Sequence, residues 1–448
     1  MQYDLSRWLV AALLIGIPAA RSGAQDWPNW RGAQYNGSSA AKNLPVKFSP
    51  TENVKWAADL PGPSAATPVI SGGNVFVSSV DLKNRTLVAL CLDRATGKVK
   101  WQHSIGSGYL PGGEGNAIQL DEKSNYASPS PVTDGRRVVF FFGNGDLAVF
   151  DPLGKKLWQR NLQKEFGDFA FQWTFASSPV LYGGKLYVQI LQRNRPAGSR
   201  GKADAPSYLL ALSPETGQEL WRSERPTPAI MESREAYSTP IPHEYNGRKE
   251  LVIAGGDFVT GHDPNTGREL WRWGTWNEGH REAWWRLVPS PVVGEGVVLV
   301  CAPKRAPVYA AKLGGSGVLG ADALAWKSED RSSVTSDVPT PLYYQGKFFI
   351  LSDLRRTLSC VDPKTGAVVW SVPTPGREPC WASPTGADGK LYLMTLGGTV
   401  IVVDAATGKT LAENPMDEPG SEIRSTVAVA HGALFIRTSN KLYCIAKG

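Results

Sequence analysis

The sequence predicts an all-β fold: an eight-bladed β-propeller of four-stranded antiparallel blades, its ring closed by an N-terminal strand that completes the last blade. Three observations predict it. A hairpin that reads apolar strand, Asp-x-x-Thr-Gly, strand ending in Trp recurs along the chain, as in LCLDRATGKVKW to Trp101, LALSPETGQELW to Trp221 and SCVDPKTGAVVW to Trp370. A second hairpin opening on Ser-Pro-Val or a variant lies upstream of each, as in SPVTDGRRVVFFF and TPLYYQGKFFIL. The composition agrees: 47 Gly and 33 Pro supply turns, 16 Trp supply large rings, and 20% charge excludes coiled coil, collagen and extended disorder. A length of 448 residues would by itself suggest about three domains of about 150 residues. The repeat replaces them with one ring.

In chain order, residues 1–24 read as a secretory signal peptide. Arg7 is the basic start, WLVAALLIGIPAA the apolar run, and Ser22-Gly23-Ala24 the small residues before a cut. That run is shorter than the roughly 20 residues needed to cross a bilayer, and the first cysteine, Cys91, is too far away for a lipid anchor. A periplasmic or secreted protein without a membrane anchor is expected. Residues 25–52 are expected to run over the outside as an N-terminal extension, and residues 53–448 to form the propeller. The last repeat, RSTVAVAHGALFIRTSNKLYCIAKG, stops after a third strand, and VKWAAD near Trp56 supplies the fourth. No sheet edge is then left open at the seam.

Each part of the repeat has a physical role. The turn Asp accepts hydrogen bonds from backbone two or three residues on, and Gly takes the positive φ that the hairpin needs. Two hairpins give a blade of about 50 residues that buries its faces only against its neighbours. Trp56, Trp101, Trp158, Trp221, Trp271, Trp326 and Trp370 recur at one place on the last strand and are assigned to docking between blades. The five cysteines are neither adjacent nor in Cys-x-x-Cys spacing, and three of them occupy one repeat position, where other repeats carry Val149, Ala211 and Val402. They read as small buried apolar side chains rather than as a disulfide framework or metal site. The net charge of +7 comes from basic residues that occur at most in pairs, so no nucleic-acid stripe is present, and a monomer is expected.

The Asp-x-x-Thr-Gly-x-x-x-Trp repeats resemble the pyrroloquinoline quinone (PQQ) type repeats of quinoprotein alcohol dehydrogenases and of BamB-like proteins. The opening DWPNWRGAQYNGSS, the segments NYASPSPVTDG and YSTP, and the ending LFIRTSNKLYCI resemble exported PQQ-like propellers of planctomycete and verrucomicrobial type. The dehydrogenase resemblance implies PQQ with calcium, but adjacent cysteines and a DxDxDG calcium loop are lacking, so no cofactor is expected. The BamB resemblance implies an envelope protein partner.

Loops that vary on a rigid scaffold are where sites are built, and here these are the loops approaching each inner strand and those joining second to third strands. They carry Asn125, Tyr126, Trp173, Arg234, Arg281, Trp284, Trp285, Arg286, Lys304, Arg355, Trp381 and Arg424 as candidate ligand-binding residues. Glu235, Asp257, His280, Glu282 and Asp337 are candidate catalytic residues, since carboxylates and a histidine can furnish a general acid and base. Arg305, Arg331, Asp353, Arg356 and Glu422 complete the set, which is expected to converge on the channel mouth. Unpaired-looking charge among rings outside the docking register suits a small polar or carbohydrate-like ligand. The alternatives are a glycan-active hydrolase or lyase, a BamB-like interaction scaffold and, last, a PQQ-dependent dehydrogenase; alternating Arg and Glu that merely tie blades together is the plain structural alternative. No HExxH, GxSxG or P-loop spacing occurs.

Overall fold

The computed structural model describes residues 25–107, 125–197, 201–274, 276–416 and 422–447; the signal-peptide assignment at 1–24 lies outside them. The described strands form eight antiparallel sheets arranged as propeller blades, with almost no helix. Blade 1, for example, runs from the inner strand Val69–Ser71 through Asn74–Asp81 and Thr86–Asp93 to the outer strand Val99–Ser107. Blade 8 consists of Ala428–Ala430, Ala433–Arg437 and Lys441–Ile445 with Val54–Asp59, which pairs antiparallel to Lys441–Ile445. Blade 4 gains a fifth strand, Gly317–Val318, parallel to Glu269–Trp273. No helix among the described residues is long and apolar enough to cross a membrane.

Two devices hold the blades together, and both come from the repeat. In the first, the Trp of one blade lies on the turn glycine of the next. A Cβ on Gly154 would sit 2.6 Å from the Trp101 ring, and one on Gly217 would sit 2.8 Å from Trp158. Only glycine fits beneath the indole, and its positive φ is available to no other residue without strain. In four blades the indole N–H then donates to a carbonyl of the same turn: Trp56 to Arg94 at 2.8 Å, Trp101 to Pro152 at 3.1 Å, Trp158 to Pro214 at 3.0 Å and Trp326 to Pro363 at 2.7 Å, whereas the N–H groups of Trp221 and Trp370, which lie on Gly267 and Gly408, meet no acceptor among the described residues.

Trp271 departs from this assignment. Its N–H donates to Glu250 of its own blade at 2.6 Å, because blade 5 has a GGSG segment where the docking turn should be. Tyr245 approaches Gly314 there instead.

The second device is a ring of hydroxyls. The residue before the proline of each Ser-Pro or Thr-Pro pair donates its N–H to the matching hydroxyl one blade on: Thr67 to Ser130, Ser130 to Ser178, Ser178 to Thr239, Thr239 to Ser290, Ser290 to Thr340, Thr340 to Ser383 and Ser383 to Thr426, at 2.8–3.3 Å. At the seam the Ser425 hydroxyl donates to Ala66 O at 3.0 Å. Buried Arg437 of blade 8 reaches Ser78 O at 2.5 Å and Gly62 O at 3.0 Å beside blade 1.

The N-terminal extension corrects the sequence expectation. Its first part does not run over the outside. Residues 27–38 cross the channel end on the side of the regular turns, opposite the approach loops. Trp27 exchanges backbone hydrogen bonds with Ile70 of blade 1 at 2.9 Å, Pro28 O accepts from Thr133 of blade 2, Asn36 O from Tyr343 of blade 6 and Gly37 O from Gly386 of blade 7. The Tyr35 hydroxyl donates to Leu181 O of blade 3 at 2.8 Å. The guanidinium of fully buried Arg31 binds the carbonyls of Pro384 at 2.9 Å, Pro341 at 2.8 Å and Asn36 at 3.2 Å. The inner-strand ends leave carbonyls facing the axis, and a fork of five N–H donors can satisfy several at once. Residues 44–48 then pack beside blades 7 and 8, with Leu44 N–H donating to Asp388 and Phe48 N–H to Asn414.

Candidate functional site

The channel is a cavity of about 440 Å³, within the range of small-molecule sites. The extension makes it a cup. Trp30 lines the end crossed by residues 27–38, the hydroxyl-ring residues from Thr67 to Thr426 line the wall, and Trp173, Tyr237, Arg286, Asp337, Asp353, Trp381 and Arg424 lie toward the approach loops.

The charged groups of the cup are few and placed by backbone. Arg286, on the approach to blade 5, forms a two-pronged pair with Asp337 at 3.0 Å on each prong, and the Lys304 N–H also donates to Asp337 at 2.8 Å. The Asp337 N–H donates to Asp353 Oδ1 at 3.1 Å, while buried Asp353 Oδ2 meets no donor. Burial pushes the Asp353 carboxyl up to about 6, with the neighbouring Asp337 charge adding to it and the backbone N–H groups of Asp337, Asp353 and Val338 pulling the other way. Across the cup, the Arg424 guanidinium lies 5.3 Å from the Trp381 ring and donates to Glu422 at 2.6 Å. The Trp173 indole donates to Glu232 at 3.0 Å.

Behind this surface lies a buried network around Glu235. Its carboxylate pairs with Arg193, accepts the Tyr237 hydroxyl at 2.7 Å and takes the Gln172 N–H at 3.0 Å. Desolvation pushes Glu235 up to about 7, with Arg193 pulling the other way. The Trp173 N–H donates to the Tyr237 hydroxyl at 3.1 Å, so the network aligns two rings of the wall. Glu235 orients the site from behind and does not line it.

The remaining candidates do not converge as the sequence suggested. Arg234, half-buried, turns toward a separate 210 Å³ cleft with Asp204, Glu224 and Arg225. Asp257 and His280 form a pair on blade 4, His280 Nδ1 lying 2.8 Å from Asp257 Oδ2, with the Asn277 amide donating to the same carboxylate at 2.9 Å. Burial raises the Asp257 carboxyl. Arg281, Glu282, Lys304, Arg305, Arg331, Arg355 and Arg356 are exposed, and Trp284 is 52% exposed. The physical reason is the direction of the loop 276–286: Ser233, which accepts the Trp285 N–H and donates to Glu282 O, pins its backbone, leaving Trp285 half-buried against the blade 4 core and Arg286 alone facing inward. Asn125 caps its own loop, accepting the Ala127 N–H at 2.9 Å and donating to Pro63 O at 3.1 Å, and Tyr126 packs beside the cluster around Phe140. Among the proposed acid–base residues only Asp337 lines the cup. Trp30, Tyr237 and the hydroxyl ring were not singled out as site residues; the Ser/Thr recurring before each inner strand was the available signal.

The described cysteines are all buried and free, and among the described residues no cluster of three or more His, Cys, Asp or Glu could hold a metal ion.

A family model described as "Outer membrane protein assembly factor BamB" matches residues 42–195, 205–318 and 318–447. No curated protein matches the chain in sequence. Among solved structures, a europium-containing methanol dehydrogenase superposes with a TM-score of 0.65 at 12% identity, covering 95% of this chain and 98% of its own. Quinohemoprotein alcohol dehydrogenase from Comamonas testosteroni gives 0.60 at 14%, covering 96% and 82%, and BamB from Moraxella catarrhalis gives 0.60 at 12%, covering 87% and 98%. At such identities these likenesses speak for the fold alone. With the family model spanning nearly all of the propeller, the chain belongs to the BamB family of PQQ-like β-propellers.

Proposed function

We propose that this protein is an exported propeller that binds one small polar, carbohydrate-like molecule in its blind channel. The observation that carries the reading is the cup itself: about 440 Å³ with Trp30, Trp173 and Trp381 around it and a wall of Ser and Thr hydroxyls. A hydroxyl that accepts a backbone N–H still has its own proton to give, so the wall suits a ligand rich in hydroxyls, and the indole rings suit the apolar faces of a sugar. Binding is favoured over hydrolysis because Asp337 is held in a fork by Arg286 and Glu235 sits behind the wall.

The quinone and metal pair implied by the resemblance does not suit these donors. Both Asp337 oxygens are held by Arg286 and one also takes the Lys304 N–H, so a cation at Asp337 would compete with a guanidinium. Isothermal calorimetry of the purified protein against monosaccharides and polyols tests the proposal, with Trp381→Ala expected to weaken binding at least tenfold, a loss of about 1.4 kcal/mol. Absence of heat with every sugar and polyol would end it.

A further inference from the structure

The cup contains two opposite charges that the protein itself leaves incompletely satisfied. Among the described residues, the Arg and Asp that line it are Arg286, Asp337, Asp353 and Arg424. Arg286 and Asp337 cancel one another through two parallel hydrogen bonds, the strongest geometry available to a guanidinium and a carboxylate. That leaves one pole of each sign.

The negative pole is Asp353. It is 4% exposed, one oxygen accepts the Asp337 N–H, and Oδ2 is buried and meets no donor among the described residues. A buried carboxylate with a missing partner is expensive, and burial pushes this carboxyl up to about 6. The positive pole is Arg424. Its guanidinium lies over Trp381 and reaches Glu422 with one nitrogen, while Nε is buried and meets no acceptor among the described residues. Because Asp353 Oδ2 and Arg424 Nε both lack partners, the poles do not satisfy each other through these atoms. They sit on blade 6 and at the approach to blade 8, with Trp381 of blade 7 between them in the sequence of blades.

Resting on the reading of the channel as a sugar site, we infer that its ligand is a sugar carrying both a free amino group and a carboxyl group, the ammonium against Asp353 and the carboxylate against Arg424. A purely cationic sugar would answer Asp353 and add no partner to Arg424, which has Glu422 on one nitrogen; a purely anionic one would add a partner to Arg424 and meet the carboxylate of Asp353. A ligand with both charges answers both poles.

Four probes that form a two-by-two set in these groups test the inference by calorimetry: glucose with neither, glucosamine with the amine, 3-O-(1-carboxyethyl)-glucose with the carboxylate and muramic acid with both. Muramic acid is expected to bind roughly tenfold or more tightly than either singly charged sugar, the scale of one charge-assisted hydrogen bond, and glucose to bind weakest. Asp353→Asn should reduce glucosamine to the level of glucose and spare the margin of 3-O-(1-carboxyethyl)-glucose; Arg424→Gln should do the converse. Should a variant fail to fold, the ranking on the wild-type protein decides alone. Equal binding of all four, or a singly charged sugar matching muramic acid, overturns the inference and leaves the sugar reading standing. Unchanged rankings in both folded variants overturn the assignment of the poles. Binding of none of the four overturns the inference, and silence across the wider sugar and polyol panel brings down the reading as well.

Discussion

The backbone N–H of Ser130 donates to the hydroxyl of Ser178 at 3.0 Å, one blade away. The same bond joins Ser178 to Thr239 and Thr239 to Ser290, so the serine or threonine before each inner strand fastens its blade to the preceding one at the narrowest part of the ring. Ser178→Ala leaves the Ser130 N–H buried without an acceptor, which costs about 1–3 kcal/mol. Ser178→Thr keeps the hydroxyl and should stay close to wild type in urea unfolding. Equal losses in both variants would point to packing instead of the hydrogen bond.

The indole-on-glycine contact predicts a second effect. Gly217 has φ +74° and lies under Trp158. Gly217→Ala should lower the thermal midpoint through a loss of about 1–3 kcal/mol from overpacking, with strain at positive φ added to it. Gly183, also at positive φ but with open space where a Cβ would go, serves as the control, since Gly183→Ala bears the strain alone. A Gly217 variant no worse than the Gly183 variant would refute the docking account.

Arg31 predicts a local effect at the end of the channel. Arg31→Ala strands the carbonyls of Pro341 and Pro384 and should cost about 3 kcal/mol or more, the scale of two hydrogen bonds to a charged group. Hydrogen exchange should show lost protection at residues 27–38 with the outer blade strands unchanged. Loss spread evenly over all blades would contradict a role confined to the crossing segment.

Asp353 predicts a pH dependence whose sign follows from its raised carboxyl. The folded state holds the proton up to about 6, whereas an unfolded Asp releases it near 3.9. Between those values the folded state binds more protons, so the contribution of Asp353 to stability falls as pH rises from about 4 through 6 and stays low above. Asp353→Asn should therefore be the more stable protein above pH 6, by up to about 3 kcal/mol, with the difference closing below pH 4. A difference that stays constant from pH 3.5 to 7.5 would disprove the linkage. A carboxylate that weakens the fold at neutral pH is the kind of residue retained for binding.

The fold was legible because it is written in repeats: Asp93, Asp362 and Asp404 each accept the N–H groups of their own turn, and such local chemistry recurs with the period of the blade. The site was legible only in part. Trp173, Arg286, Asp337, Trp381 and Arg424 line the cup as expected of residues on approach loops, but Arg234 and Trp284 sit on the same kind of loop and face elsewhere. A neighbouring position on an irregular loop can turn in or out, and no period marks which.

The sequence by itself determined the blade, its turns, its docking Trp and the number of copies, because each depends on bonds and contacts made by a repeated pattern. Tertiary structure alone decided that the extension closes the channel, that Trp271 turns to Glu250, and that Asp353 and Arg424 keep unsatisfied atoms in one cup. Those outcomes depend on which carbonyls, rings and charges meet from blades hundreds of residues apart, as when Arg31 finds Pro341 and Pro384, and no repeat marks them, unlike the missing strand that Val54–Asp59 supplies to the last blade.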